Sequence, residues 1–311
     1  MKIVIAGGAG FIGSNLAEYW VKNNAEVVVI DNLRTGVEKN LSEFKNIIFH
    51  KRSITEREFV FEATKGADYI FNLAALVSVP ESVEKPEETY EININGLKNL
   101  LDAALENGIK KVVHTSSAAI YGNNPIMPKV EAMAAEPVSP YAETKYKGEL
   151  LCNEYFEKHG LPAVSLRYFN VYGPKQNPFG AYASVIPIFS IKALKNEPMI
   201  IYGDGEQTRD FVYVADVVNA NVLAAATDNA NGVFNIANGS TISINTLAVK
   251  IKELTHAESE IIYMPERAGD VKFSSASVDK AKRELSFITQ CNLDKGLSLT
   301  IDYYRRELES K

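Results

Sequence analysis

The feature that most limits what this chain can become stands at its start. An apolar run from Lys2 to Ile5 breaks into Gly7-Gly8-Ala9-Gly10-Phe11-Ile12-Gly13, and Phe11 to Lys22 then reads as a helix. Glycines spaced G-x-x-G-x-x-G between a strand and a helix let the backbone turn tightly and let a pyrophosphate approach it closely. The helix start that follows offers free N–H groups and a favourable dipole. Glu26 to Ile30 (EVVVI) reads as a second strand, continuously β-branched as expected when both faces are buried. Asp31 ends it, eighteen residues after Gly13. A carboxylate there accepts hydrogen bonds from an adenosine ribose and repels a 2′-phosphate. The pattern predicts a dinucleotide site of the NAD type; the neighbouring Arg34 leaves some room for NADP.

Strand-like runs recur at Ile47–His50, Tyr69–Leu73, Lys111–Thr115 and Ala163–Arg167, with helical patterns between them. The clearest is Gly96–Leu105, where Leu97, Leu100, Leu101 and Ala104 share one face. Such alternation predicts an α/β fold, a Rossmann-type doubly wound parallel sheet. After about residue 170 the texture changes: glycine and proline punctuate 173–180 and 203–205, and short strands (Met199–Tyr202, Val233–Ile236) alternate with helices such as Ile244–Leu254. The expected organisation is a nucleotide-binding domain over 1–170 and a smaller C-terminal α/β substrate lobe over 171–311. The stretch 212–226 is expected to return to the first domain.

Bulk properties narrow the partners. A net charge of −6 over 311 residues gives no electrostatic reason to expect nucleic acid, so a phosphate-bearing ligand must be held by local cations and backbone amides. Two distant cysteines, Cys152 and Cys291, suit reduced thiols in a cytoplasmic protein better than a disulfide framework. The N-terminus lacks the charged leader and cleavable apolar run of an export signal, and no run is long enough to span a membrane. The four histidines are scattered without metal-ligand spacing, so no metal is expected.

Tyr141-Ala142-Glu143-Thr144-Lys145 places a phenol and an ammonium at i and i+4, on one face of a helix. A cation near a phenol favours the phenolate, so Tyr141 is a candidate base. The pair gains weight from Thr115-Ser116-Ser117 at the end of an expected strand, since ligand-facing residues of parallel sheets gather at carboxyl ends. Ser117 there can hydrogen-bond the hydroxyl that Tyr141 deprotonates.

Together the glycine loop, Asp31, HTSSAAIYG (114–122) and SPYAETKYKGE (139–149) resemble the extended short-chain dehydrogenase/reductase family. LRYFNVYGPKQ (166–176) and GDGEQTRDFVYVADV (203–217) are similar to its nucleotide-sugar members. The resemblance implies Ser117, Tyr141 and Lys145 as the catalytic set, with Lys145 on the nicotinamide ribose. It lays Gly7, Gly10, Phe11, Ile12, Gly13, Asp31, Asn32, Ser53, Ile54, Ala74, Ala75, Asn93 and Tyr168 along the NAD. Beside Ser117 and Tyr141, it sets Ser78, Asn170, Arg209, Arg267, Asp270 and Ser274 around a UDP-sugar. One position departs from the family: where an acid commonly meets adenine, this chain has Ser53, which can accept a hydrogen bond but carries no charge.

Family members share oxidation of the sugar at C4 and differ afterwards. Dehydratases carry Asp-Glu directly after the catalytic Ser or Thr, and decarboxylases commonly a glutamate at the second position; here the pair is Ala118-Ala119. Neither transfers a proton, so the expected reaction is the simplest one, inversion at C4 of a UDP-hexose. Ser274, small where a large tyrosine restricts related pockets, leaves room for N-acetylated sugars as well as UDP-glucose and UDP-galactose. The alternatives are a UDP-glucuronate epimerase or decarboxylase, and a non-catalytic NAD-binding regulator. The resemblance also implies a homodimer built on the helical stretches 86–106 and 141–158.

Overall fold

A computed structural model describes residues 1–179, 183–266 and 272–310. Its centre is a seven-stranded sheet. β1 (Lys2–Ala6), β2 (Glu26–Ile30), β3 (Ile47–His50), β4 (Tyr69–Asn72), β5 (Lys111–Ser117) and β6 (Ala163–Tyr168) are joined by an edge strand, Gly232–Ile236. The order is edge strand, β6, β5, β4, β1, β2, β3, every pair parallel. The direction of winding reverses between β1 and β4, which opens a crevice at the carboxyl ends there. The doubly wound fold expected from the alternation is thus the observed one.

Strands of this sheet are apolar on both sides because both faces are covered: Ile3, Val4, Ile5 and Ala6 are fully buried. On one face α1 (Phe11–Lys22) and the helix Val214–Ala226 pack over Ile3, Ile5, Val27 and Val29. On the other, Leu97, Leu100 and Leu101 of helix Gly96–Glu106 meet Val4, Val28 and Ile70, joined by Cys152 and Tyr155 of helix Pro140–His159. A third cluster, with Tyr172, Phe189, Met199, Phe211, Leu247 and Leu297, is the core of the C-terminal lobe. Phe11 and Ile12 pack against it, so the first turn of α1 touches both bodies.

Val233–Ile236, grouped above with the short strands of the second lobe, instead closes the main sheet: Val233 to Ile236 pair with Ser165 to Tyr168. Without it β6 would be a bare edge, and burial of its six residues requires a neighbour. The helix Val214–Ala226 packs against α1 and β6. The stretch 86–106 is not one regular helix. A five-residue wider turn, Glu91–Asn95, separates Pro86–Tyr90 from Gly96–Glu106 and holds Asn93. Such bulges commonly re-aim a side chain at a working site. Among the described residues no helix is long and apolar enough to cross a membrane.

Candidate active site

The glycine loop is shaped by close approaches that only glycine permits. Gly7 has φ of +78°, and a Cβ there would lie 2.6 Å from the amide nitrogen of Ala74. At Gly13 a Cβ would sit 2.2 Å from the Gly7 carbonyl oxygen. Gly10 caps α1 in an extended conformation with no side chain bonding the first-turn amides. The start of Phe11–Ile12–Gly13 therefore presents open N–H groups beside a backbone cradle, which fits a pyrophosphate. Asp31 is buried at the end of β2, where its carboxylate accepts from Ala9 N (3.0 Å) and Leu33 N (2.8 Å). The acid is thereby fixed against the loop. Asn32 closes a local turn by accepting from Arg34 N at 3.0 Å.

Arg34 is not a free cation for a 2′-phosphate. Its guanidinium bonds Glu88 at 2.5 Å and Glu81 at 2.6 Å, and those bonds raise its already high pKa. Ser53 accepts from Thr55 N and shares a hydroxyl–hydroxyl bond with Thr55, while Ile54 is buried and packs onto Gly96. Ala74 and Ala75 lie partly open after β4.

Asn93 is expected along the cofactor, but its amide braces the loop that carries those alanines. Its Oδ1 accepts from Leu76 N (2.8 Å), and its Nδ2 donates to Leu76 O (3.2 Å) and to Thr144 Oγ1 (3.0 Å). Buried amides must be satisfied, and here the catalytic helix and the loop satisfy this one. Tyr168 is held in a similar way. Its phenol is buried and bonded by Thr115 and Asn221, so it offers a ligand a ring wall and no hydroxyl. Ser78 caps the helix Val79–Glu84 by accepting from Glu81 N.

Ser117, Tyr141 and Lys145 come together. Helix Pro140–His159 starts cleanly because Ser139 caps it and Pro140 takes the first position; Gly160, with φ of +69°, ends it. β5 runs to Ser117 itself, two residues beyond the expected end, so the serine stands at the sheet's carboxyl edge. The Tyr141 phenol lies close enough to its hydroxyl for that contact to lower the phenol's pKa. Lys145 Nζ lies 5.9 Å from the centre of the Tyr141 ring and donates to Thr115 O at 2.7 Å.

Burial raises the Tyr141 phenol above its ordinary value, against the lowering by the Ser117 bond. Burial also brings the Lys145 ammonium down to about 8, opposed by the charge of Glu149. Desolvation, and not the expected lowering by lysine, therefore sets the direction of the Tyr141 shift in the protein alone. His114, beneath the helix against Gly148, is held neutral, well below the usual imidazole range, by burial and then by Lys145.

Sequence reasoning missed Glu149. Its carboxylate is almost fully buried and takes both forks of Arg167, Nε at 2.8 Å and Nη2 at 2.7 Å. Ser116, next to the catalytic serine, donates to the same carboxylate. Arg167 continues to Tyr121 (2.8 Å), which donates to Asn235 (2.7 Å) on the edge strand. Desolvation lowers the Arg167 pKa, and the bonds to Glu149 more than restore it. One carboxylate thus ties the catalytic helix to β5 and β6. Its signal was present in the sequence as a third position, Tyr141, Lys145, Glu149, in the i, i+4, i+8 series.

Beyond the carboxyl ends lies a cavity of about 550 Å³, lined among others by Asn170, Tyr172, Phe189, Lys192, Tyr202 and Arg209. Strand Asn170–Tyr172 pairs with Phe211–Tyr213, and Asn170 bonds the Asp210 carbonyl. Asp210 makes no surface pair with Arg209. It is fully buried, accepts from Asn238 N (2.8 Å) and Gly239 N (3.1 Å), and is raised to about 6 by burial against those bonds. Ser274 N donates to Thr208 O, which sets the half-buried serine beside Arg209. Arg267 and Asp270 lie outside the described residues. No cluster of metal-binding side chains occurs among the described residues.

Residues 3–237 match the family model described as the NAD dependent epimerase/dehydratase family. The chain is similar to the UDP-glucose 4-epimerase of Thermotoga maritima, solved with UDP-glucose, with 40% identity and a TM-score of 0.94 over 99% of this chain and 100% of that one. It is similar also to the UDP-N-acetylglucosamine 4-epimerase of Methanobrevibacter ruminantium, solved with UDP-N-acetylmuramic acid (38%, 0.94, 98% of each chain). The Thermus thermophilus UDP-glucose 4-epimerase complex with NAD gives 35%, 0.89, and 98% and 99% coverage.

Proposed function

The chain belongs to the NAD-dependent epimerase/dehydratase family, and from that premise we propose that it inverts C4 of a UDP-hexose through a 4-keto sugar. The observation that carries the reading is the site's economy. Ser117, Tyr141 and Lys145 converge at the sheet's carboxyl edge, and the two positions after Ser117 are Ala118 and Ala119. A base for the C4 hydroxyl is present without the acid–base groups that elimination requires there.

The cradle at Gly7–Gly13 and the fixed Asp31 fit NAD⁺, which when bound accepts the C4 hydride and returns it. Ser117 orients the C4 hydroxyl, and Tyr141 takes its proton. Lys145, anchored by Thr115 O, keeps a positive charge beside the phenol. Because burial alone raises the phenol, Tyr141 becomes an effective base only when further positive charge enters the site. The cavity beside Asn170 and Arg209 holds the UDP. The arginine fork suits the diphosphate. Ser274 leaves the sugar end open to an N-acetyl group, so UDP-glucose, UDP-galactose and their N-acetylhexosamine counterparts are the substrates.

The enzyme acts in the cytoplasm as a homodimer. Its two buried cysteines are free thiols. Val79, Val83, Tyr90 and Leu150 leave an exposed apolar face on the neighbouring helices Val79–Glu84, Pro86–Tyr90 and Pro140–His159.

The test is to incubate purified protein, without added NAD, with UDP-N-acetylglucosamine and separately with UDP-glucose, following the sugar H4 signal by NMR. The C4 epimer is expected from both. No epimer from either, even after NAD is added, refutes the substrate assignment. Tyr141→Phe is expected to lower turnover by at least about 100-fold while leaving bound NAD unchanged; near-normal turnover removes Tyr141 from the base role.

A further inference from the structure

The sheet order places β1 between β2 and β4. Arg34 follows β2, whereas Glu81 and Glu88 follow β4. With strands about 4.8 Å apart, the two anchoring strands lie roughly 10 Å from each other, and the glycine loop of β1 occupies the interval. Yet Arg34 closes that interval: Nη1 reaches Glu88 at 2.5 Å, and Nη2 reaches Glu81 at 2.6 Å and the second Glu88 oxygen at 3.2 Å. Lys85 supports the same carboxylates, at 3.3 Å from Glu81 and 3.9 Å from Glu88. The helix Val79–Glu84 that carries Glu81 is itself tied to the catalytic helix, because Ser82 Oγ accepts from Tyr141 N at 3.1 Å.

The electrostatics of this bridge bear on which dinucleotide fits. Asp31, Glu81 and Glu88 put three carboxylates near the ribose end, against the two cations Arg34 and Lys85. A 2′-phosphate would bring close to two further negative charges. Arg34 is the cation nearest in sequence to Asp31, and its fork is already taken by Glu88 and Glu81.

We propose that Arg34, held by Glu81 and Glu88, forms a strap across the dinucleotide site that slows release of NAD⁺ and denies a counter-ion to the 2′-phosphate of NADP⁺. The inference rests on the dinucleotide reading of the glycine loop and does not depend on which sugar is turned over. The strap lies at the rim, with its side chains 27–42% exposed, so its hold is that of exposed ion pairs and weakens with salt.

The experiment uses full-length protein stripped of nucleotide and reloaded with NAD⁺. Release is followed by chase with labelled NAD⁺ at 50 mM and 500 mM NaCl, and NADP⁺ binding by calorimetry. Arg34→Ala is expected to release NAD⁺ roughly 5- to 30-fold faster at low salt, the equivalent of one or two exposed ion pairs, and to lose most of the salt dependence. Glu81→Gln with Glu88→Gln is expected to release NAD⁺ faster too. Its freed arginine should bind NADP⁺ roughly 5- to 30-fold more tightly than the unsubstituted protein does. Melting curves of the stripped proteins check that each variant is folded. Release from Arg34→Ala at the unsubstituted rate overturns the retaining role. Unchanged NADP⁺ affinity in the double variant overturns the excluding one. Failure of the unsubstituted protein to hold any dinucleotide refutes the site itself, a result distinct from both.

Discussion

Replacing Glu149 by Gln is the sharpest perturbation of the buried clamp behind the catalytic helix. The side chains of Glu149 and Arg167 are 3% and 5% exposed, so water cannot make good a lost partner. The amide keeps one acceptor but turns an NH₂ toward Arg167 Nη2, which now reaches Glu149 Oε2 at 2.7 Å. A donor meets a donor at Nη2, and the guanidinium keeps Nε on the amide oxygen and Nη1 on the Tyr121 hydroxyl, each at 2.8 Å, but has no counter-charge. Stranding one charge of a buried pair costs about 3–5 kcal/mol. Removing both charges is different. Glu149→Leu with Arg167→Met leaves apolar groups of similar size; Tyr121 keeps Asn235 as its acceptor, and the buried Ser116 hydroxyl loses its own. That double variant is expected within about 2 kcal/mol of the unsubstituted protein. Urea denaturation midpoints at pH 7, with NAD stripped from every sample, measure both. A Glu149→Gln cost under about 1 kcal/mol, or a double variant as costly as its two single changes added together, would refute the reasoning.

Two further outcomes follow from the same geometry. Gly13→Ala puts a Cβ 2.2 Å from the Gly7 carbonyl, so the start of α1 must move off the loop; retained NAD, read by absorbance after denaturation, should fall at least about tenfold. Burial brings Lys145 to about 8 in the folded state against about 10.4 in the unfolded chain, so between them the unfolded chain binds a proton that the folded one does not. Stability of the NAD-free protein should therefore rise with pH across that window. Between pH 7.5 and 9.5 it should gain about 2 kcal/mol relative to Lys145→Met, by urea midpoint; a parallel pH dependence in the two proteins would contradict the burial argument.

What was legible in the sequence was local. The glycine loop, the acid ending β2 and the Tyr141–Lys145 spacing each lie within one turn or one helix face, where short-range geometry decides position. Residues whose task depends on distant partners were not legible. At Asn93 the sequence does not show that Leu76 and Thr144 also take up the amide. Tyr168 is a similar case, because its hydroxyl answers to Asn221 on a helix 53 residues away. Asp210 follows Arg209 in the chain, and nothing in the sequence shows that it turns inward to two backbone amides. Val233–Ile236 was misplaced because an edge strand and a lobe strand have the same composition, and only pairing with β6 tells them apart.

That edge strand has a consequence for how the molecule can be taken apart. The chain leaves the sheet after Tyr168, builds part of the lobe, returns for the helix Val214–Ala226 and the strand Gly232–Ile236, departs, and comes back once more with the helix Asp279–Leu285 and Phe287. The two bodies are therefore interleaved and cannot be separated as cassettes. A fragment cut at residue 170 would keep the whole glycine loop and the catalytic helix and still lack a wall of its own core, exposing β6 to any strand-forming partner. Exchanging sugar-binding halves between relatives of this chain must accordingly be done as inserts around a retained 214–236 and a retained 279–287, never as a single swap of the C-terminal half.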